Sequence, residues 1–180
     1  ISESGIANDL YKMFHVLFGG LKGGLAIGTM FMMVAISAMN GLSVAGMAIG
    51  ATIALPEMLK RNYDKRMITG VVQAGSSLGI LIPPSVVMVL YGMIARQPVS
   101  KLWMAGILPG LLMASLFLIY IYVRCKLQPE LGPPLKKEER NITTAEKIDL
   151  LKAGIIPFLI FFFMTGLFLM GIASLVECSA

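Results

Sequence analysis

Charged side chains are scarce in this sequence. Only 14% of its 180 residues are charged and 57% are hydrophobic, whereas soluble domains carry about 25% charged residues. A soluble core of this size could not absorb so much apolar surface, so the composition indicates a protein that crosses a membrane several times. The net charge of +5 does not indicate nucleic-acid binding, because the basic residues cluster between apolar runs, as membrane topology requires.

The residue sets of enzymes and metal centres are also missing. The chain has one histidine, His15, and two cysteines, Cys125 and Cys178, whose spacing fits neither a metal site nor a disulfide framework. It lacks a Ser-His-Asp set. We therefore predict no catalytic residue, no transition metal and no cofactor. The start at Ile1 and the end directly after an apolar run indicate an internal fragment.

The alternation of apolar runs and basic clusters divides the chain into six segments. We predict an interfacial amphipathic helix over 1–22, a re-entrant hairpin over 23–59, a discontinuous transmembrane helix over 67–95, a transmembrane helix over 102–123, a cytoplasmic connector over 124–152 and a transmembrane helix over 153–176. Basic residues concentrate at both mouths of the hairpin and in the connector, which the positive-inside rule places in the cytoplasm. The other side keeps only Arg96 and Lys101.

The hairpin is predicted from its length. Positions 23–59 lie between Lys22 and Lys60, and their middle, SAMNGLS at 37–43, is polar and turn-forming. Each arm then has about 14 to 16 residues, fewer than the roughly 20 that a helix needs to cross the hydrocarbon. A re-entrant hairpin therefore fits better than two full spans.

The span over 67–95 is interrupted by the run GSSLGILIPPS. Pro83 and Pro84 remove two backbone donors and disfavour helix in the residues before them. Unwound backbone at that depth is tolerated only where it lines a cavity or is buried in protein. The turn and the interruption are the two places where polar and unwound backbone lies inside an apolar region.

Secondary transporters build their sites from such discontinuous helices, whose free carbonyls ligate a cation while helix N-termini face an anionic substrate. Ser37 and Asn40 are three residues apart, so their side-chain oxygens can face the same direction at the end of a helical arm. Carbonyls freed around Gly79 to Pro84 would complete an oxygen cage. The alternative is that Ser and Asn only cap the arms and that the prolines only kink a helix.

Acidic residues are missing at depth. From Gly23 to Ile94 the only two are Glu57 and Asp64, both beside basic clusters. A proton-coupled site needs a buried carboxylate or histidine, so the pattern favours sodium over protons.

With the stretches ISESGIANDLY, GGLAIG, SAMNGLSVAGMAIG, ALPEMLKRNYDKR and GSSLGILIPPSVVMVLYG, the chain resembles the large membrane subunit of the tripartite ATP-independent periplasmic (TRAP) transporters. The resemblance implies an all-α polytopic protein of the bacterial or archaeal cytoplasmic membrane, with an elevator-type transport domain of two inverted repeats. This chain would be most of the first repeat.

The resemblance also implies a sodium site that joins the hairpin turn to the break. It carries over onto Ser37, Asn40, Gly79, Ile82 and Pro84. The family often has serine at the position of Asn40, and asparagine still offers a carbonyl oxygen. We expect the substrate close to the same two breaks, near Gly41, Ser43, Pro83 and Ser85.

The implied partners are a small membrane subunit, a periplasmic solute-binding protein and the lipid bilayer, and the implied substrate is a small organic acid such as a carboxylate.

The alternative within the class of transporters is a hairpin-type sodium/dicarboxylate symporter that works without a binding protein. A channel would line a continuous path with polar or charged rings, and the spans have none. A purely structural subunit would not need the break at Pro83 and Pro84.

Overall fold

The computed structural model describes residues 17–133 without interruption. It also describes Tyr11, Met13 and Phe14 before them, and Ile155, Leu159, Phe163, 165–168 and Met170 after them. The elements of these residues are all helical and include no strand, which confirms the predicted all-α class for this part of the chain. Positions 1–10 and most of 153–176 lie outside the described residues, and so do most of the predicted connector and the side chain of His15.

Within residues 17–133 the structure describes five α-helices. They are α1 (Gly24–Asn40), α2 (Ser43–Lys60), α3 (Lys65–Ser77), α4 (Val86–Ala95) and α5 (Val99–Leu127), with short 3₁₀ helices at Leu78–Ile80 and Pro129–Leu131. Before α1, the described residues Tyr11, Met13, Phe14, Leu17 and Phe18 are helical, and a turn follows at Gly19 and Gly20.

The predicted hairpin corresponds to α1 and α2, which are joined by Gly41 and Leu42 alone. Their 17 and 18 residues make each arm slightly longer than predicted, because the turn occupies fewer residues than the polar run. At about 1.5 Å per residue the arms are roughly 26 and 27 Å long, still short of a hydrocarbon core of about 30 Å. Their re-entrant course in a bilayer stays a prediction.

Helix α1 forms the centre of the core. Nearly all of its residues are buried, against α2, α3 and the preceding helical residues Tyr11, Met13 and Phe14. Unbranched methionines fill this core, with Met30, Met32, Met33 and Met58 at most 1% exposed, as their flexibility favours. Met33 lies between two glycines, since a Cβ built at Gly50 or at Gly75 would lie 2.5 Å from its side chain.

The predicted discontinuous helix corresponds to α3, the first 3₁₀ helix and α4, with the non-helical residues Leu81–Ser85 between the 3₁₀ helix and α4. Helix α3 begins at an N-cap, since Asp64 Oδ1 accepts hydrogen bonds from the backbone N–H groups of Arg66 (2.9 Å) and Met67 (3.1 Å). The peptide bond between Pro83 and Pro84 is cis.

Helix α5 has 29 residues and, among the described residues, is the one helix long and apolar enough to cross a membrane. It contains the predicted span 102–123 and continues to Leu127, so the first residues assigned to the connector are helical. The extension has a physical reason, because Arg124 and Lys126 lie in its last turn, where cations interact favourably with the helix dipole.

Candidate functional site

The turn of the hairpin lies directly against the break. The carbonyl of Gly41 accepts a hydrogen bond from the backbone N–H of Val86, with N and O 3.1 Å apart. Gly41 has φ +66°, and a Cβ built there would lie 2.9 Å from the carbonyl oxygen of Pro84. The two interruptions that the sequence predicts separately therefore meet at one place in the fold.

Ser37 lies at the centre of this contact. A Cβ built at Gly79 would lie 2.5 Å from Ser37 Cβ and 2.7 Å from its carbonyl oxygen, so the 3₁₀ helix touches the last turn of α1. On the opposite side, Gly46 of α2 leaves no room for a Cβ beside Ser37 Oγ. Ser37 is 0% exposed, and its hydroxyl has no hydrogen-bond partner among the described residues.

An unpaired buried hydroxyl costs roughly 1–3 kcal/mol, and buried polar groups in native structures are nearly always paired. The cost is offset when the oxygen binds a group other than the protein's own donors. Ser37 Oγ is a neutral oxygen and matches the ligand type that transporters present to alkali cations. The role of Ser37 as a cation ligand stays a prediction.

Asn40 is fixed at the end of α1. Its amide nitrogen Nδ2 donates a hydrogen bond to the carbonyl of Ile36 at 2.8 Å. The amide oxygen is the acceptor that remains to face a ligand. Both Ser37 and Asn40 belong to the C-terminal turn of α1, where the helix dipole favours a positive charge.

The break supplies a free carbonyl through its proline pair. In a continuous helix Gly79 O and Ile80 O would accept from residues 83 and 84, but both are proline and have no N–H. Ser85 Oγ donates to Ile80 O at 2.7 Å in place of the missing N–H. Gly79 O lacks its usual helical donor because residue 83 is a proline. Gly79 packs against Ser37, and the predicted contribution of its carbonyl oxygen to a cation site stays a prediction.

Ser85 also begins α4. Its hydroxyl accepts a hydrogen bond from Met88 N at 3.3 Å while it donates to Ile80 O, so it bridges the two sides of the break. The predicted contact of Ser85 with substrate stays a prediction. The N-termini of α2 at Ser43 and of α4 at Val86 both lie at this end of the hairpin and favour a negative charge.

The remaining predicted residues frame the same region. Gly41 and Pro83 are buried, whereas Ser43, Ile82 and Pro84 are half-buried. The two acids of the segment lie elsewhere: Glu57 pairs with Arg61 and Lys60 near the end of α2, and Asp64 caps α3. Among the described residues, no group of His, Cys, Asp and Glu could hold a metal ion.

The sequence reasoning did not identify α5 as a wall of the site. Trp103 Nε1 donates to Ser85 O at 3.4 Å. A Cβ built at Gly106 would lie 2.6 Å from Leu81 O, and one at Gly110 would lie 2.9 Å from Ile82 Cγ1. The signal was the pair of glycines four residues apart, a spacing that lets helices approach closely.

Discontinuous helices with unwound backbone and converging helix ends are the elements from which many secondary transporters build their ion and substrate sites, and the turn and the break supply both. The sequence matches the family described as "Tripartite ATP-independent periplasmic transporter, DctM component" over residues 1–180. The chain belongs to this family, which confirms the resemblance seen in its motifs.

Several curated proteins are similar to the chain. The C4-dicarboxylate TRAP transporter large permease protein DctM of Pseudomonas aeruginosa is 34% identical over 128 residues, which cover 71% of this chain and 30% of that protein. The isethionate TRAP transporter permease protein DctMQ of Oleidesulfovibrio alaskensis is 31% identical over 144 residues, or 80% of this chain and 22% of that protein. The ectoine TRAP transporter large permease protein TeaC of Halomonas elongata is 33% identical over 117 residues, or 65% and 27%. The chain thus spans less than a third of the length of these relatives.

Proposed function

We propose that the chain is part of the permease subunit of a sodium-coupled secondary transporter that imports small organic acids. A periplasmic binding protein delivers the substrate, and a small membrane subunit completes the complex in the cytoplasmic membrane. Membership in the tripartite periplasmic family supports the binding protein and favours this function over a symporter that works without one. The C4-dicarboxylate and isethionate permeases among the relatives support the organic-acid class. The two-repeat elevator architecture is part of the same proposal.

The observation that carries the proposal is the unpaired hydroxyl of Ser37, buried where the hairpin turn meets the break. A sodium ion would be held by Ser37 Oγ, the Asn40 amide oxygen and backbone oxygens of the break at Gly79, Ile82 and Pro84. Among the residues that the structure describes, no carboxylate faces this group of oxygens, so the bound ion would keep its positive charge and attract an anionic substrate. Gly41, Ser43, Pro83 and Ser85 lie on the side where the substrate would bind.

Uptake into proteoliposomes tests this function. The full-length permease, its small subunit and its binding protein are reconstituted, and uptake of a C4-dicarboxylate is compared under an inward sodium gradient and an inward proton gradient. We expect uptake to follow the sodium gradient. Uptake that follows the proton gradient alone would contradict the proposed coupling ion.

The variant Asn40→Ala tests the site within the same assay. Loss of the amide oxygen should raise the half-saturating sodium concentration at least roughly tenfold, which corresponds to about 1.4 kcal/mol, the range of one hydrogen bond or ligand contact to a charge. The matched control is Gln73→Ala, which removes an exposed amide from α3. A half-saturating concentration that is equal in both variants would contradict the assignment of Asn40.

A further inference from the structure

A cleft lies away from the turn and the break, between α3 and α5. Its volume is about 790 Å³, within the roughly 300–1,000 Å³ of ligand-binding cavities. Its apolar walls are formed by Met67, Val71 and Ala74 of α3 and by Leu116, Phe117 and Ile121 of α5. The wall is open at Gly70, where a built Cβ would meet no atom within 4 Å.

One end of the cleft is basic. Arg66 lies in the first turn of α3 and Arg124 in the last turn of α5, and both line the cleft and are exposed. A hydrogen bond from Asp64 N to Leu131 O, 3.2 Å long, connects the N-cap of α3 to the 3₁₀ helix that follows α5. Among the described residues that line the cleft, Asp64 is the only acid, and its Oδ1 accepts the two hydrogen bonds of the α3 cap.

The cleft has the depth of one membrane leaflet. From Arg66 to Ala74, and from Arg124 to Leu116, the walls rise about 12 Å at the α-helical rise per residue. Half of the hydrocarbon core is about 15 Å thick. The positive-inside rule places the arginine end at the cytoplasmic surface, where the headgroups of that leaflet lie.

We propose that this cleft binds an anionic phospholipid of the cytoplasmic leaflet. The headgroup phosphate lies between Arg66 and Arg124, which can each donate two hydrogen bonds to it. One acyl chain follows the apolar walls past Gly70 toward Ala74. The choice of occupant rests on charge complementarity. The two arginines match an anionic headgroup at the membrane surface, where such headgroups lie. Farther from the arginines the walls of the cleft are apolar and match an acyl chain in the hydrocarbon core.

Lipid retention by the full-length transporter tests the headgroup contact. The complex is reconstituted in a mixture of phosphatidylglycerol and phosphatidylcholine, re-extracted in mild detergent, and its retained lipids are counted by native mass spectrometry. The double variant Arg66→Gln/Arg124→Gln should retain phosphatidylglycerol at least roughly tenfold less than wild type, from the attraction of two basic residues to anionic lipid. The matched control is Arg96→Gln/Lys101→Gln, which removes two charges from the other side of the membrane and should retain the lipid.

The variant Gly70→Leu tests the acyl-chain contact without a change of charge. Its side chain enters open space, so the variant should fold and should lose the same lipid by filling the cleft. Thr69→Leu, exposed and outside the cleft, should keep it. Equal retention in wild type, the double arginine variant and Gly70→Leu would overturn the proposal. Uptake assays play no part in this readout, so it is independent of the proposed sodium coupling.

Discussion

Gly41 combines a left-handed backbone with a close backbone contact. Its φ of +66° is a conformation that costs other residues roughly 1–2 kcal/mol. Its N–H donates to Ser37 O at 2.8 Å, and its carbonyl accepts from Val86 N. This one residue therefore closes α1 and attaches the hairpin to the break.

Replacement of Gly41 by alanine should lower the free energy of unfolding by at least about 2 kcal/mol, since a Cβ adds a clash with Pro84 O to the backbone strain. Thermal unfolding of the detergent-purified permease measures the change. Gly70→Ala is the matched control, because Gly70 is helical with open space around it, and alanine should stabilise there by about 0.5–1 kcal/mol. Equal stability of the two variants would contradict the assigned role of Gly41.

Ser85 stabilises the break because its hydroxyl both donates and accepts a hydrogen bond. Ser85→Ala should lower the free energy of unfolding by roughly 1–3 kcal/mol, because it removes the N-cap of α4 and leaves Ile80 O without a donor. Ser115→Ala is the control, since Ser115 is exposed and its hydroxyl only donates to Leu111 O of its own helix. Chemical denaturation of the purified protein compares the two. A loss in Ser85→Ala no larger than in Ser115→Ala would show that the bridge contributes little.

The helices differ in how far the sequence could predict them. The turn after Asn40 and the break before Val86 were predictable, because glycine and proline act on the backbone locally. The contact between them was expected only from the general design of transporter sites, since nothing local chooses a tertiary partner. The bridge from Ser85 to Ile80 was not predicted for the same reason. A serine beside a break can reach several carbonyls, and only the folded backbone decides which.

Helix α5 shows that the sequence can predict a close helix contact without predicting its partner. Its apolar run predicted a span, and its pair of glycines could have predicted a close neighbour. The neighbour itself, the unwound backbone at Leu81 and Ile82, is not encoded in the spacing. The packing of α5 against the break therefore could not be predicted from the sequence, and only the structure shows it.

The contact of α5 with the break should be sensitive to small increases in volume. Gly106→Val places methyl groups against Leu81 O and the side chain of Met88, which should cost roughly 1–3 kcal/mol as overpacking and should displace the break. Ala105→Val, one residue earlier and exposed, should be nearly neutral. We expect the glycine variant to lose both thermal stability and sodium affinity in the uptake assay. Normal sodium affinity in Gly106→Val would contradict a role of α5 as a wall of the site.

In the molecule as described, the hairpin and the broken helix share one core. Met33 of α1 fills the space between Gly50 of α2 and Gly75 of α3, so the turn and the break cannot separate without opening that core. A cation held between them would move together with both elements. The elevator proposed above would require the two elements to move as one unit, and a shared core joins them.

The central claim is that the buried hydroxyl of Ser37 binds the coupling ion, and sodium-dependent thermal stability tests it most directly. A ligand at 100 times its dissociation constant stabilises the folded state by about 2.7 kcal/mol. For the full-length permease in choline chloride, we expect Ser37→Ala to be as stable as wild type or more so, since it removes an unpaired buried group. In sodium chloride, wild type and Ser115→Ala should gain stability, and Ser37→Ala should gain little or none. An equal gain from sodium in wild type and Ser37→Ala would contradict the claim.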